Sequence, residues 1–103
     1  METIGRHLIA EFYGCEPETI NNVEYVKTHM CETANKIGAT VLGDKFHQFE
    51  PQGVSGTVVI AESHLSIHTW PEKGYVAVDI FTCGGLDPSI GFEYLGEMLK
   101  ADS

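Results

Sequence analysis

Positive charge is scarce in this chain. Six Lys and Arg stand against 15 Asp and Glu, a formal net charge of -9 with His neutral. Nonspecific nucleic-acid binding depends on Lys and Arg neutralising phosphates, so the composition argues against it. An acidic protein suits a cationic small molecule better. Long apolar runs are also lacking. Nothing approaches the ~20 residues of a membrane-spanning helix. The opening "METIGRHLIAEF" has an apolar run too short for a secretion signal, and Glu11 breaks it. The expectation is a cytoplasmic protein that binds neither membrane nor nucleic acid. Cysteine is sparse too. Cys15, Cys31 and Cys83 are an odd, scattered set with no CxxC zinc pattern. At least one thiol is free, and a small buried hydrophobe is the ordinary role of each.

What is present suits one packed domain: 103 residues, 43% of them hydrophobic. So short a chain buries a smaller share of its surface than a long one. A deep pocket therefore favours self-association.

Four strands and two helices account for most residues. "HLIAEFY", residues 7–13, reads as a strand that Gly14 stops. A helix follows, capped by Asn21 or Asn22. Its apolar stripe is Val23, Val26, Met30, Ala34 and Ile37. Gly38 suits its left-handed end. Residues 39–49 form a second strand and "PQGVSG" a turn-rich loop. The near-continuous apolar run of residues 57–62 predicts a third strand buried on both faces. "YVAVDIF" is the fourth. Asp87 caps a last helix with Pro88 at its first position and Phe92, Leu95 and Leu99 on its apolar face. The order predicts an α+β fold, a two-layer sandwich with helices on one face of a mainly antiparallel sheet. The exposed sheet face is the natural seat for a second copy.

The reactive side chains crowd into "AESHLSIHTWPEKGY", residues 61–75. If Ser63 to Trp70 is extended, His64, Ser66, His68 and Trp70 share one side by parity, with Leu65 and Ile67 opposite. On the next strand Tyr75, Ala77, Asp79, Phe81 and Cys83 share a side. Cys83 meets Gly84-Gly85, where backbone can approach a ligand closely. A metal held by His64 and His68 is disfavoured: their Cβ atoms lie about 13 Å apart at ~3.3 Å per residue, and no third ligand stands out. A Ser-His or Cys-His nucleophile lacks the G-x-S-x-G elbow. A third chemistry is a serine that attacks its own preceding carbonyl. It needs a strained or polarised peptide and a proton shuttle. Elimination from the resulting ester cuts the chain and leaves dehydroalanine, which hydrolyses to a pyruvoyl group.

"ESHLSIHTWPE", followed by "YVAVDIFTCG" and preceded by "PQGVSG", closely resembles the prokaryotic S-adenosylmethionine decarboxylase proenzymes. The likeness runs from "GRHLIAEFYGC" through the "LDPS" helix. It implies cleavage between Glu62 and Ser63 into fragments 1–62 and 63–103 of a single domain. Ser63 would become the pyruvoyl group that forms a Schiff base with the substrate amine, the electron sink that pyridoxal phosphate supplies elsewhere. His68 resembles the proton-transfer residue of processing and Ser55 its assistant. Cys83 resembles the acid that reprotonates the substrate carbon; a thiol suits that role because its pKa is tunable. Phe49 and Trp70 resemble the aromatic partners of the adenine, and Glu72 the carboxylate on the ribose. The resemblance also implies a homodimer with active sites near the subunit interface, and a further extended stretch after the last helix, where this sequence reads "LKADS". No metal is implied. His64 and Asp79 carry no assigned role, and His7, His29 and His47 read as structural or surface residues.

Two rival functions stay open on the sequence alone. A pyruvoyl-dependent ornithine or arginine decarboxylase would keep Ser63, His68 and Cys83 without an adenine site. A non-catalytic regulatory paralogue would never process.

Overall fold

The computed structural model describes residues 5–83 and 86–103. Among them five strands form one sheet: β1 (Gly5–Phe12), β2 (Val41–Gln48), β3 (Val54–Ile60), β4 (Ser63–Trp70) and β5 (Tyr75–Cys83). The order is β1-β5-β4-β3-β2, and every neighbouring pair is antiparallel. The reactive stretch is therefore itself the central strand, and the sheet has one strand more than the four read from the sequence. Residues 57–62 were expected to be buried on both faces. Instead Val58 and Ile60 are buried while Val59 is 46% exposed. Only one face is covered, so the strand alternates in and out despite its apolar composition.

Three helices lie on that covered face: α1 (Pro17–Ile20), α2 (Val23–Lys36) and α3 (Pro88–Met98). The Asn22 side chain caps α2 by accepting from Tyr25 N at 3.1 Å. The chain leaves α2 through Gly38 at φ +87, where a side chain would be strained. Val26, Met30, Ala34 and Ile37 form its buried stripe. α2 packs on β2 and β3, and α3 on β1 and β5. Leu65, Ile67, Val78 and Ile80 meet them from the sheet. Leu65 and Ile67 are fully buried, so truncating either to Ala would cost ~2–5 kcal/mol. Those two side chains hold β4 with its polar residues turned outward. The pattern of the sequence did not carry α1 or the 3-10 turn at Pro71–Lys73.

Candidate active site

The strand register sorts the outward side chains into rows across the open face. His47, Ser55, His68 and Ala77 lie side by side on β2, β3, β4 and β5. The next row is Lys45, Thr57, Ser66 and Asp79, and the next Val59, His64, Phe81 and His7. Parity along β4 is as expected: Leu65, Ile67 and Thr69 are buried, and His64, Ser66, His68 and Trp70 are not.

At one end of the face, β3 turns into β4. Ile60 pairs with Ser63, so Ala61 and Glu62 form a two-residue hairpin loop. Such tight loops ask for positive φ, usually from Gly or Asn. Here Glu62 supplies it, at φ 63. For a residue with a side chain this costs of order 1–2 kcal/mol. The strained residue directly precedes Ser63. The Ser63 hydroxyl donates to the Glu62 carbonyl oxygen at 2.6 Å. The Cys83 thiol donates to the same oxygen at 3.5 Å, and Ser63 Oγ lies 3.7 Å from Cys83 Sγ. A nucleophile, the carbonyl beside it and a second donor to that carbonyl thus converge on one peptide bond. Two donors at one oxygen can stabilise charge that develops there. These residues fit a serine-derived carbonyl group: hydroxyl, strained acyl neighbour and thiol are in place, and the site is exposed enough for substrate. Gly84 and Gly85, expected to shape the mouth beside Cys83, lie outside the described residues.

At the other end, Ser55 Oγ and His68 Nδ1 are 2.8 Å apart. They border a hollow of about 330 Å³ that Phe49, Trp70 and Glu72 also line. Three residues singled out for an adenosine and two singled out for processing thus meet in one place. Phe49 is 45% and Trp70 39% exposed, so both rings offer open faces. The loop under Phe49 is braced from below. Asn21 Oδ1 accepts from Gly53 N at 2.8 Å and from Gln48 Nε2 at 2.9 Å. Phe49 N donates to Gly53 O at 2.8 Å. Buried Thr69, beside Trp70, accepts from Val54 N and donates to Ile20 O, both at 2.9 Å. The bracing by Asn21 had no signal in the sequence, because its partners lie 27 and 32 residues away.

The two ends do not meet within one chain. Ser63 and His68 are five strand positions apart, about 16 Å at ~3.3 Å per residue. The sequence grouped Ser63, Ser55, His68 and Cys83 as one catalytic set. The structure gathers Ser63 with Cys83, and Ser55 with His68.

Two of the three thiols lie away from this face, Cys15 in the core and Cys31 on α2. Burial pushes the Cys15 thiol up, with Asp102 adding to it. Burial also pushes Cys31 up, with Asp44 adding to it and Lys27 partly opposing. Tyr75, whose ring centroid is 5.3 Å from that of Trp70, has its phenol pushed up to about 12, chiefly by its hydrogen bond to Glu11. Beside His64, which carried no assigned role, stand His7 and Asp79, contributed by β1 and β5. Among the described residues no helix is long and apolar enough to cross a membrane.

Comparison with known proteins agrees with the geometry. The sequence profile of the family described as S-adenosylmethionine decarboxylase matches residues 6–103. An S-adenosylmethionine decarboxylase proenzyme of Caldicellulosiruptor saccharolyticus is 59% identical over 102 residues, 98% of this chain and 82% of that one. The proenzyme of Thermotoga maritima is 54% identical over 102 residues, 98% of this chain and 78% of that one. The crystal structure of the adenosylmethionine decarboxylase from Aquifex aeolicus superposes with a TM-score of 0.88 at 34% identity, covering 100% of this chain and 86% of that chain. The chain belongs to the S-adenosylmethionine decarboxylase family.

Proposed function

We propose that this chain is a self-cleaving, pyruvoyl-dependent S-adenosylmethionine decarboxylase acting as a cytoplasmic homodimer. One observation carries the reading: the Ser63 hydroxyl rests 2.6 Å from the carbonyl oxygen of a left-handed Glu62. Ser63 Oγ adds to the Glu62 carbonyl carbon, and the peptide C–N bond gives way to an ester. Loss of the Ser63 α-proton then expels the Glu62 carboxylate and cuts the chain into 1–62 and 63–103. Water converts the dehydroalanine to a pyruvoyl group and releases ammonia. The strain at Glu62 favours departure from the planar amide, and the Cys83 thiol steadies the oxygen on which charge grows.

Processing also needs a proton shuttle, and the Ser55–His68 pair is the candidate. Its separation from Ser63 supports a site built from two copies. Two open sheet faces stacked about a two-fold axis, with strands running oppositely, would set the Ser63–Cys83 end of each chain over the Ser55–His68 end of the other. The hollow then lies beside the other copy's Ser63. Phe49 and Trp70 offer rings for an adenine and, through cation–π attraction, for a sulfonium. Glu72 accepts hydrogen bonds from ribose hydroxyls. Once formed, the pyruvoyl group supplies the electron sink for carbon dioxide loss. Cys83, beside Ser63, delivers the proton to the substrate carbon. The product is decarboxylated S-adenosylmethionine, the aminopropyl donor for spermidine.

Carbon dioxide release from S-adenosylmethionine, ornithine and arginine tests this reading. Turnover of the first alone is expected. Equal or faster turnover of ornithine or arginine refutes the adenosine site.

A further inference from the structure

We propose that His7, His64 and Asp79 form a binding site for a divalent transition ion of the zinc class, distinct from the residues assigned to processing and decarboxylation. The site is a product of strand order. β5 lies between β1 and β4, and the register sets His7, Phe81 and His64 in one row. Asp79 stands two residues from Phe81 on the same side of β5, under both imidazoles. One ligand atom from each residue falls within 4.8 Å of the others. His7 Nε2 lies 2.6 Å and His64 Nε2 3.5 Å from the same oxygen, Asp79 Oδ2.

Those spacings suit a small ion. Bonds of 2.0–2.1 Å in tetrahedral geometry put ligand atoms about 3.3 Å apart. The His64–Asp79 separation already matches. The His7–Asp79 hydrogen bond needs to open by about 0.7 Å as the ion replaces its proton, and His7 is exposed enough to turn. Two imidazoles and a carboxylate select a borderline ion over magnesium or calcium, which prefer all-oxygen sites. Support around the ligands is present as well. The Ser66 hydroxyl donates to Asp79 Oδ1, leaving Oδ2 for the ion. Such outer hydrogen bonds fix a ligand's orientation. His64 stacks on Phe81 with ring planes 9° apart, and His7 meets the same ring edge-on at 5.7 Å. One aromatic side chain thus orients both imidazoles. Within one chain His7 and His64 are each 44% exposed and Asp79 24%, so the three ligands do not enclose an ion by themselves and leave coordination positions for water or a second copy. In the proposed dimer this face turns toward the second copy, which would put the ion at the subunit junction.

Cobalt(II) and zinc(II), added separately to the chelator-stripped full chain, test the assignment. Calorimetry is expected to give one ion per chain. Cobalt is expected to develop visible d–d bands without the near-ultraviolet charge-transfer band of thiolate ligation. His64→Gln and His7→Gln should each abolish both signals, and Ser66→Ala should weaken binding roughly 10- to 100-fold. Zinc should raise the melting temperature of the wild type and leave that of His64→Gln unchanged, while circular dichroism confirms that the variant is folded. Failure to bind either ion, a thiolate band, or undiminished binding by folded His64→Gln and His7→Gln overturns the proposal.

Discussion

Two substitutions that each block cleavage should rescue one another when the two chains are expressed together. Ser63 and His68 are about 16 Å apart along β4 at ~3.3 Å per residue. Direct proton transfer needs heavy atoms about 2.6–3.2 Å apart, or one bridging water. His68 therefore cannot serve the Ser63 of its own chain. A Ser63→Ala chain lacks the proposed nucleophile, and a His68→Ala chain lacks the proposed shuttle, so each alone should stay full length. Co-expressed in equal amounts and paired at random, about half of the two-fold dimers are mixed. Each mixed dimer has one junction intact on both sides: the Ser63 of the His68→Ala chain facing the His68 of the Ser63→Ala chain. One chain in two, in half the dimers, is about a quarter of all chains cut. A denaturing gel reads the fraction, and two different affinity tags show that mixed dimers have formed. No cut chain in verified mixed dimers would refute the shared-site reasoning, as would wild-type cleavage by His68→Ala alone.

Other outcomes follow from single contacts. Cys83→Ala should still cleave, more slowly because a donor to the Glu62 oxygen is lost, and should decarboxylate roughly 10²–10⁴-fold more slowly, the usual worth of a positioned acid. Normal turnover in that variant would remove Cys83 from the acid role. Tyr75 should titrate with a midpoint of about 12 by ultraviolet absorbance, and Tyr75→Phe should delete that step. Its folded value is raised above the ordinary ~10. Its contribution to stability is therefore complete below pH ~10 and lost as pH climbs toward 12. Asn22→Ala removes the α2 cap and should cost ~0.5–2 kcal/mol in urea unfolding, with an unchanged m value.

Much of the fold was legible because side-chain parity is local. The alternation of Leu65 and Ile67 with His64, Ser66 and His68 needs only the knowledge that β4 is extended. The helical stripe from Val26 to Ile37 is equally local. The turn at Ala61-Glu62 was not legible, since nothing there has the Gly or Asn that marks a two-residue hairpin. The loop hides because its strain sits on a glutamate. Strand order was also beyond local pattern. The pairing of Ser55 with His68 is set by the β3–β4 register. The meeting of His7 with Asp79 and His64 needs β5 inserted between β1 and β4. Hence the motif residues could be named individually while their division into two ends of one face stayed hidden. The apolar run before Glu62 misled for a related reason. Val59 faces outward beside His64 on the uncovered face, so the apolar composition there does not reflect burial within one chain.

The cut itself is measured most directly by denaturing mass spectrometry of purified active protein, with hydrazine as a ketone trap. The account predicts two polypeptides, residues 1–62 and 63–103. The second should begin with a hydrazine-reactive carbonyl, and Ser63→Ala should give one intact, unreactive chain. Fully active protein that remains a single 103-residue chain with no trappable carbonyl would contradict it.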